Sequence, residues 1–110
     1  MKLSFKSWKL EKSLVTDKGL FKAYGEKARK IKQRISELRS AENLETVKRL
    51  PALRLHQHQG KDKGRWSIDI WKNWRILFTI DMEPIPRKDD DGIDLSRITD
   101  IRIESVEDPH

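Results

Sequence analysis

Two stretches of this chain hold side chains that can move protons. One is His56-Gln57-His58-Gln59-Gly60-Lys61-Asp62-Lys63-Gly64-Arg65-Trp66. The other is the ending Val106-Glu107-Asp108-Pro109-His110. Imidazoles, a carboxylate and several cations thus sit on or beside strand-like segments. That set suits one kind of chemistry, the binding of a phosphodiester and the transfer of protons around it. An unperturbed imidazole titrates near pH 6.5 (about), so it can give or take a proton at neutrality. A guanidinium can grip a phosphate through two parallel hydrogen bonds. Cleavage of RNA by a ribose 2′-OH attacking the adjacent phosphate needs a base and an acid for the leaving oxygen. It also needs a cation for the phosphorane charge and a surface that splays the bases.

Each of these residues also has a plainer reading. A histidine in a loop is ordinarily a polar surface residue. Arg75 can pair with Asp69 across a hairpin, a contact worth about 0.2–1 kcal/mol. A terminal His110 ordinarily frays. Trp66 and Trp74 fit a core, whereas Trp71 falls at a turn. His56 and His58, two residues apart with no clear third ligand, make a weak case for a metal site, and no metal or cofactor is expected.

The elements that must position these groups can be read from hydrophobic spacing. Leu3 and Phe5 alternate with polar residues, as in a short strand. Lys9 to Val15 suits one or two helical turns. Tyr24, Ala28, Ile31, Ile35 and Leu38 then make one apolar stripe on a helix. Leu20 and Phe21 extend the stripe backwards, Asp17 is its candidate N-cap, and Lys27, Arg29, Lys30, Lys32 and Arg34 fall on the other faces. Gly25 marks either a weak point in this helix or its true start. Asn43 is placed to cap a short helix with Leu44, Val47 and Leu50 inward, closed by Pro51.

From there the period becomes two. Leu53 and Leu55 alternate with Arg54 and His56. Trp66, Ile68 and Ile70 follow, then a turn at Lys72-Asn73, then Trp74, Ile76, Phe78 and Ile80, and finally Ile101 and Ile103. Residues 82–96 contain two prolines and Asp89-Asp90-Asp91-Gly92, and read as an exposed loop. The expected fold is a single α+β domain over residues 1–110. N-terminal helices pack on one face of a small, mainly antiparallel sheet of three or four strands, which the N-terminal strand is free to join. Successive strand residues point to opposite faces. The uncovered face should therefore carry Arg54, His56, Arg65, Asp69, Arg75, Arg102 and Glu104. Trp71, Leu77 and Val106 should also fall there, as should Asp108 and His110 if pairing continues to the end.

Composition limits the partners. The chain has 110 residues, no cysteine, 35% hydrophobic and 38% charged residues, so thiol chemistry and disulfides are excluded. No apolar run approaches membrane-spanning length and the first residues lack the apolar core of a signal peptide, so a soluble cytoplasmic protein with no membrane partner is expected. The net charge of +6 is unevenly spread. Residues 1–80 hold 20 Lys and Arg against 8 Asp and Glu, whereas residues 81–110 hold 4 against 10. A basic body suits a phosphate backbone, and equally a lysine-rich solvated surface.

The run from Leu53 to Phe78, with His56, Gly60-Lys61-Asp62-Lys63-Gly64, Trp66-Ser67-Ile68 and Trp74-Arg75-Ile76, resembles the HigB-type toxins of the RelE/ParE superfamily. The ending Val106-Glu107-Asp108-Pro109-His110 is similar to the Val-x-Asp-Tyr-His ending of that family. The loop at 82–96 looks like an extension seen in one branch. The resemblance implies a RelE-like fold and a toxin of a type II toxin–antitoxin system, a ribosome-dependent endoribonuclease of mRNA. Its partners would be the ribosome, mRNA and a cognate helix-turn-helix antitoxin, with DNA met only through the antitoxin. Carried over by position, the catalytic residues would be His56, Arg75, Asp108 and His110. Arg54, His58, Lys61, Lys63, Arg65, Trp71 and Arg102 would contact RNA. Gln59 stands where the family often has Lys, and Pro109 where it has Tyr; Lys61, Lys63 or His58 are candidate replacements for the missing cation. Two other readings stand beside this one. A gyrase-inhibiting toxin of the ParE type is disfavoured by Asp108 and His110, which that branch lacks. A degenerate RNA- or ribosome-binding module without chemistry is compatible with Gln59 and Pro109.

Overall fold

Three polar side chains start helices. Ser7 Oγ accepts from the Leu10 N–H, Thr16 Oγ1 from that of Gly19, and Asn43 Oδ1 from that of Thr46. Each satisfies a donor that the first helical turn leaves open. In the computed structural model, which describes residues 1–62 and 64–108, these caps open α1 (Trp8–Val15), α2 (Asp17–Tyr24) and α4 (Leu44–Lys48). The longest helix, α3 (Ala28–Ser40), is entered through a 3-10 turn at Gly25–Lys27. The expected single helix from Asp17 is thus two. Gly25 takes φ 55° and ψ −122°, which no side chain adopts readily, and it ends α2. Thr16, not Asp17, is the cap, and Phe21 lies exposed rather than on the buried stripe.

The strands are β1 (Lys2–Phe5), β2 (His56–Gln57), β3 (Arg65–Trp71), β4 (Trp74–Ile80) and β5 (Asp100–Glu107). They form one sheet in the order β1-β5-β4-β3-β2, with β1 parallel to β5 and the other pairs antiparallel. The N-terminal strand therefore joins as the fifth. One buried cluster unites Ile31, Ile35 and Leu38 of α3 with Trp66, Ile68, Ile70, Ile76, Phe78, Ile101 and Ile103. This is the α+β layer expected of a RelE-like toxin.

Three local expectations change. The Leu53–Leu55 alternation is not a strand: Pro51–Leu53 form a 3-10 turn and Arg54 is left-handed, so pairing begins at His56. Leu50 is exposed rather than inward. The loop at 82–96 is partly anchored, because Met82, Ile85, Ile93 and Leu95 pack against the core and Arg87 bridges to Ile93. Its acidic tip, Asp89 to Asp91, stays exposed. Among the described residues no helix is long and apolar enough to cross a membrane.

Candidate functional site

Strand register sorts the polar side chains of the uncovered face into rows. His56 pairs with Ser67, Ser67 with Leu77, and Leu77 with Ser105. The next row runs Asp69, Arg75, Glu107, and the one on the other side runs Arg65, Thr79, Arg102. Row members stand side by side because they share a pleat. Arg54, at the end of the 3-10 turn before β2, holds φ 45° and ψ 58°. Few residues other than glycine take this conformation. From there its Nη1 reaches Asp69 Oδ2 at 3.4 Å, while Arg75 Nε lies 3.6 Å from Asp69 Oδ1. Arg54, Leu55, His56, Asp69 and Arg75 line one open cavity of about 360 Å³. Two guanidiniums, one imidazole and one carboxylate thus converge on a solvent-facing hollow of a size to admit a phosphate and its sugar.

His58 stands beside this hollow with a structural task. Its Nε2 lies 2.9 Å from the hydroxyl of buried Ser67, its N–H donates to the Arg65 carbonyl at 2.9 Å, and its ring meets that of His56 edge-on at 4.9 Å. His56 is the more exposed of the two. Lys61 is exposed in the 3-10 turn Gly60–Asp62. Arg102 Nε lies 3.3 Å from Glu104 Oε2, which also accepts from Thr79 Oγ1 at 3.2 Å.

Two bulges rearrange what parity alone implies. Leu77 pairs with Ser105 but Phe78 with Ile103, so β5 carries an extra residue at Glu104. Beyond it the faces exchange. Val106, expected on the uncovered face, pairs with Ile76 and packs against the core. Glu107 stands opposite Arg75, and Asp108 follows just past the strand end. Asp108 therefore does not continue the uncovered row. The second irregularity, between Asp69 and Trp71, registers Trp71 with Trp74. Trp71 lines a separate groove with Lys27, Arg29, Lys30 and Gln33 of the helical layer, under Lys72 at 4.5 Å. The structure thus brings Arg54, His56 and Arg75 together and leaves Trp71 elsewhere. Lys63, Pro109 and His110 lie outside the described residues.

Residue-by-residue reading missed a support beneath this site. Arg34, assigned to the solvated side of the helix, is buried. Its Nε donates to the Asp69 carbonyl at 2.8 Å and its Nη1 to Glu37 Oε1 at 2.8 Å. The signal was present, since Ile31, Arg34 and Leu38 are spaced three and four apart and so share the buried stripe. A carbonyl at a bulge lacks its ladder partner, and a buried one needs another donor.

No curated protein matches the chain. The family model described as "RelE-like toxin of type II toxin-antitoxin system HigB" matches residues 3–86, which include Arg54, His56, Asp69 and Arg75 and end before β5. By the extent of that match the chain belongs to the HigB-like toxins, RelE-like toxins of type II toxin–antitoxin systems, whose members are paired with an antitoxin.

Proposed function

We propose that this toxin is a ribosome-dependent endoribonuclease that cleaves mRNA by 2′-OH attack on the adjacent phosphate, acting in the cytoplasm without a cofactor. The observation that supports it is the convergence of His56, Arg54 and Arg75 on one open hollow of the uncovered sheet face. In the reaction, a base removes the 2′ proton and the 2′ oxygen bonds to phosphorus. The 5′ oxygen leaves with a proton from an acid, and a 2′,3′-cyclic phosphate remains. His56 fills one proton-transfer role. Arg75 meets the charge that develops on the phosphorane, where a fixed cation acts most strongly. Asp108, just past the end of a strand whose Glu107 is registered with Arg75, and His110 supply the second proton-transfer group. Arg54, Lys61, Lys63, Arg65 and Arg102 attract the backbone, with His58 bracing His56. Trp71 is a stacking surface away from the scissile bond.

The partner is a helix-turn-helix antitoxin whose acidic or amphipathic segment neutralises this basic surface, so the complex should weaken as salt rises. Induced expression should arrest growth and truncate translated transcripts, while purified protein should leave naked RNA largely intact. Deleting His110 alone should abolish the arrest and leave antitoxin binding unchanged. Arrest with intact mRNA and inhibited gyrase would assign the protein to the gyrase-directed class instead. A fully toxic protein ending at Pro109 would remove His110 from the mechanism.

A further inference from the structure

We infer that Asp69 is a positioning residue whose carboxylate gathers Arg54 and Arg75 into a single phosphate-binding pair. The inference rests on reading the hollow as an RNA-cleavage site. Two guanidiniums repel, and a carboxylate set between them offsets that repulsion. Here Arg54 precedes β2 and Arg75 lies on β4, and the strand order places β3, with Asp69, between them. Its carboxylate is divided, one oxygen 3.6 Å from Arg75 Nε and the other 3.4 Å from Arg54 Nη1. Each guanidinium carries five N–H donors, so one contact to Asp69, at Arg75 Nε and at Arg54 Nη1, leaves others on both side chains. Those remaining donors can form the planar fork that matches a phosphate.

Both ends of the arrangement are held in place. The Asp69 carbonyl receives buried Arg34, which is itself tied to Glu37. Arg54 keeps a left-handed backbone that costs stability and is retained by its surroundings. Glu107, on the far side of Arg75, is engaged by the Ser105 hydroxyl at 2.9 Å. An ion pair to an arginine as exposed as Arg54 adds little to stability. Its effect is on orientation, and misplacement of a group by an ångström can cost about a hundredfold in rate.

The opposing possibility is electrostatic, that Asp69 repels the phosphate it sits beside. The isosteric Asp69→Asn separates the two by sign. Inorganic phosphate is titrated into the purified toxin while the arginine side-chain N–H signals are followed by NMR, and cleavage is measured on programmed ribosomes. We expect phosphate binding about tenfold weaker and kcat down by about ten- to a hundredfold. KM, dominated by the wider ribosome contact, and the melting temperature should stay near wild type. Arg54→Gln tests the pair from its other end. It should weaken phosphate binding similarly, and adding Asp69→Asn should lower it no further, as for residues acting as one unit. Unchanged or tighter phosphate binding by Asp69→Asn overturns the inference, as does a wild type in which phosphate moves no arginine signal. If wild type fails to cleave on ribosomes while Asp69→Asn still weakens phosphate binding, the nuclease reading falls and the arginine pair stands. Normal cleavage with no effect of Asp69→Asn gives the reverse.

Discussion

The two faces of the β3–β4 hairpin are made from alternate residues of the same strands, yet they follow different rules. The helix-side face, Trp66, Ile68, Ile70, Ile76 and Phe78, is buried against α3 in a single apolar cluster. The other face carries Arg65, Ser67, Asp69, Arg75, Leu77 and Thr79 in cross-strand rows. Even there Ser67 and Leu77 are nearly fully buried, while Arg65, Asp69 and Arg75 stay partly exposed. One face therefore contributes cohesion and the other a pre-arranged set of charges. Because the strand period is two, a single substitution should disturb one without the other.

The sharpest way to break that separation is in the core. Phe78 is fully buried, and Phe78→Ala should lower stability by about 3–5 kcal/mol, through lost transfer energy and an unfilled cavity. Denaturant titration would show it as a lower midpoint at unchanged slope. Three residues earlier, on the opposite face, Arg75→Ala should lower ribosome-dependent cleavage by about 10²–10³. Its unfolding midpoint should barely move, since surface changes of this kind usually stay within about 0.5 kcal/mol. A large stability loss with normal cleavage would invert the assignment of the faces.

Two imidazoles refine the comparison within the open face. His56→Ala should cost about 10²–10⁴ in cleavage rate if it transfers a proton. His58→Ala should be milder, because its visible task is to hold the Ser67 hydroxyl. Equal losses would make the pair a single unit.

Arg34 crosses the boundary between the faces. Arg34→Met keeps the packed length but strands the Asp69 carbonyl and removes the partner of Glu37. It should cost about 1–3 kcal/mol and also slow cleavage, by loosening the bulge under Asp69. The smallest effect is expected at Arg54. Arg54→Gly relieves the left-handed backbone and should raise stability by up to about 1 kcal/mol while weakening RNA contact. Thermal unfolding alongside cleavage would reveal a gain in one bought with a loss in the other.

How much of this was legible in the residues depends on the range of the interaction. Helix caps at Asn43, the apolar stripe of α3 and the hairpin strands are local patterns, and they appear where spacing places them. Arg75 paired with Asp69 was readable too, because a short hairpin confines its register. The break at Gly25 was visible only as a choice between two readings, which the glycine's positive φ decided. The Leu53–Leu55 alternation misled, since a proline-led turn can mimic a strand's period over three residues.

Composition and spacing by themselves determined the α+β class, the covered face of the hairpin and the sharing of the other face by Arg54, His56 and Arg75, while it is the resemblance to HigB-type toxins that singles out His56 and Arg75 among them. What only the tertiary structure decided was where each face ends. The extra residue at Glu104 turned Val106 inward and set Glu107, not Asp108, opposite Arg75. The irregularity after Asp69 moved Trp71 to the helical side, and buried Arg34 pinned that bend. A bulge depends on how two distant strands and a helix share hydrogen bonds, and a period-two pattern read along one strand contains no term for its partner.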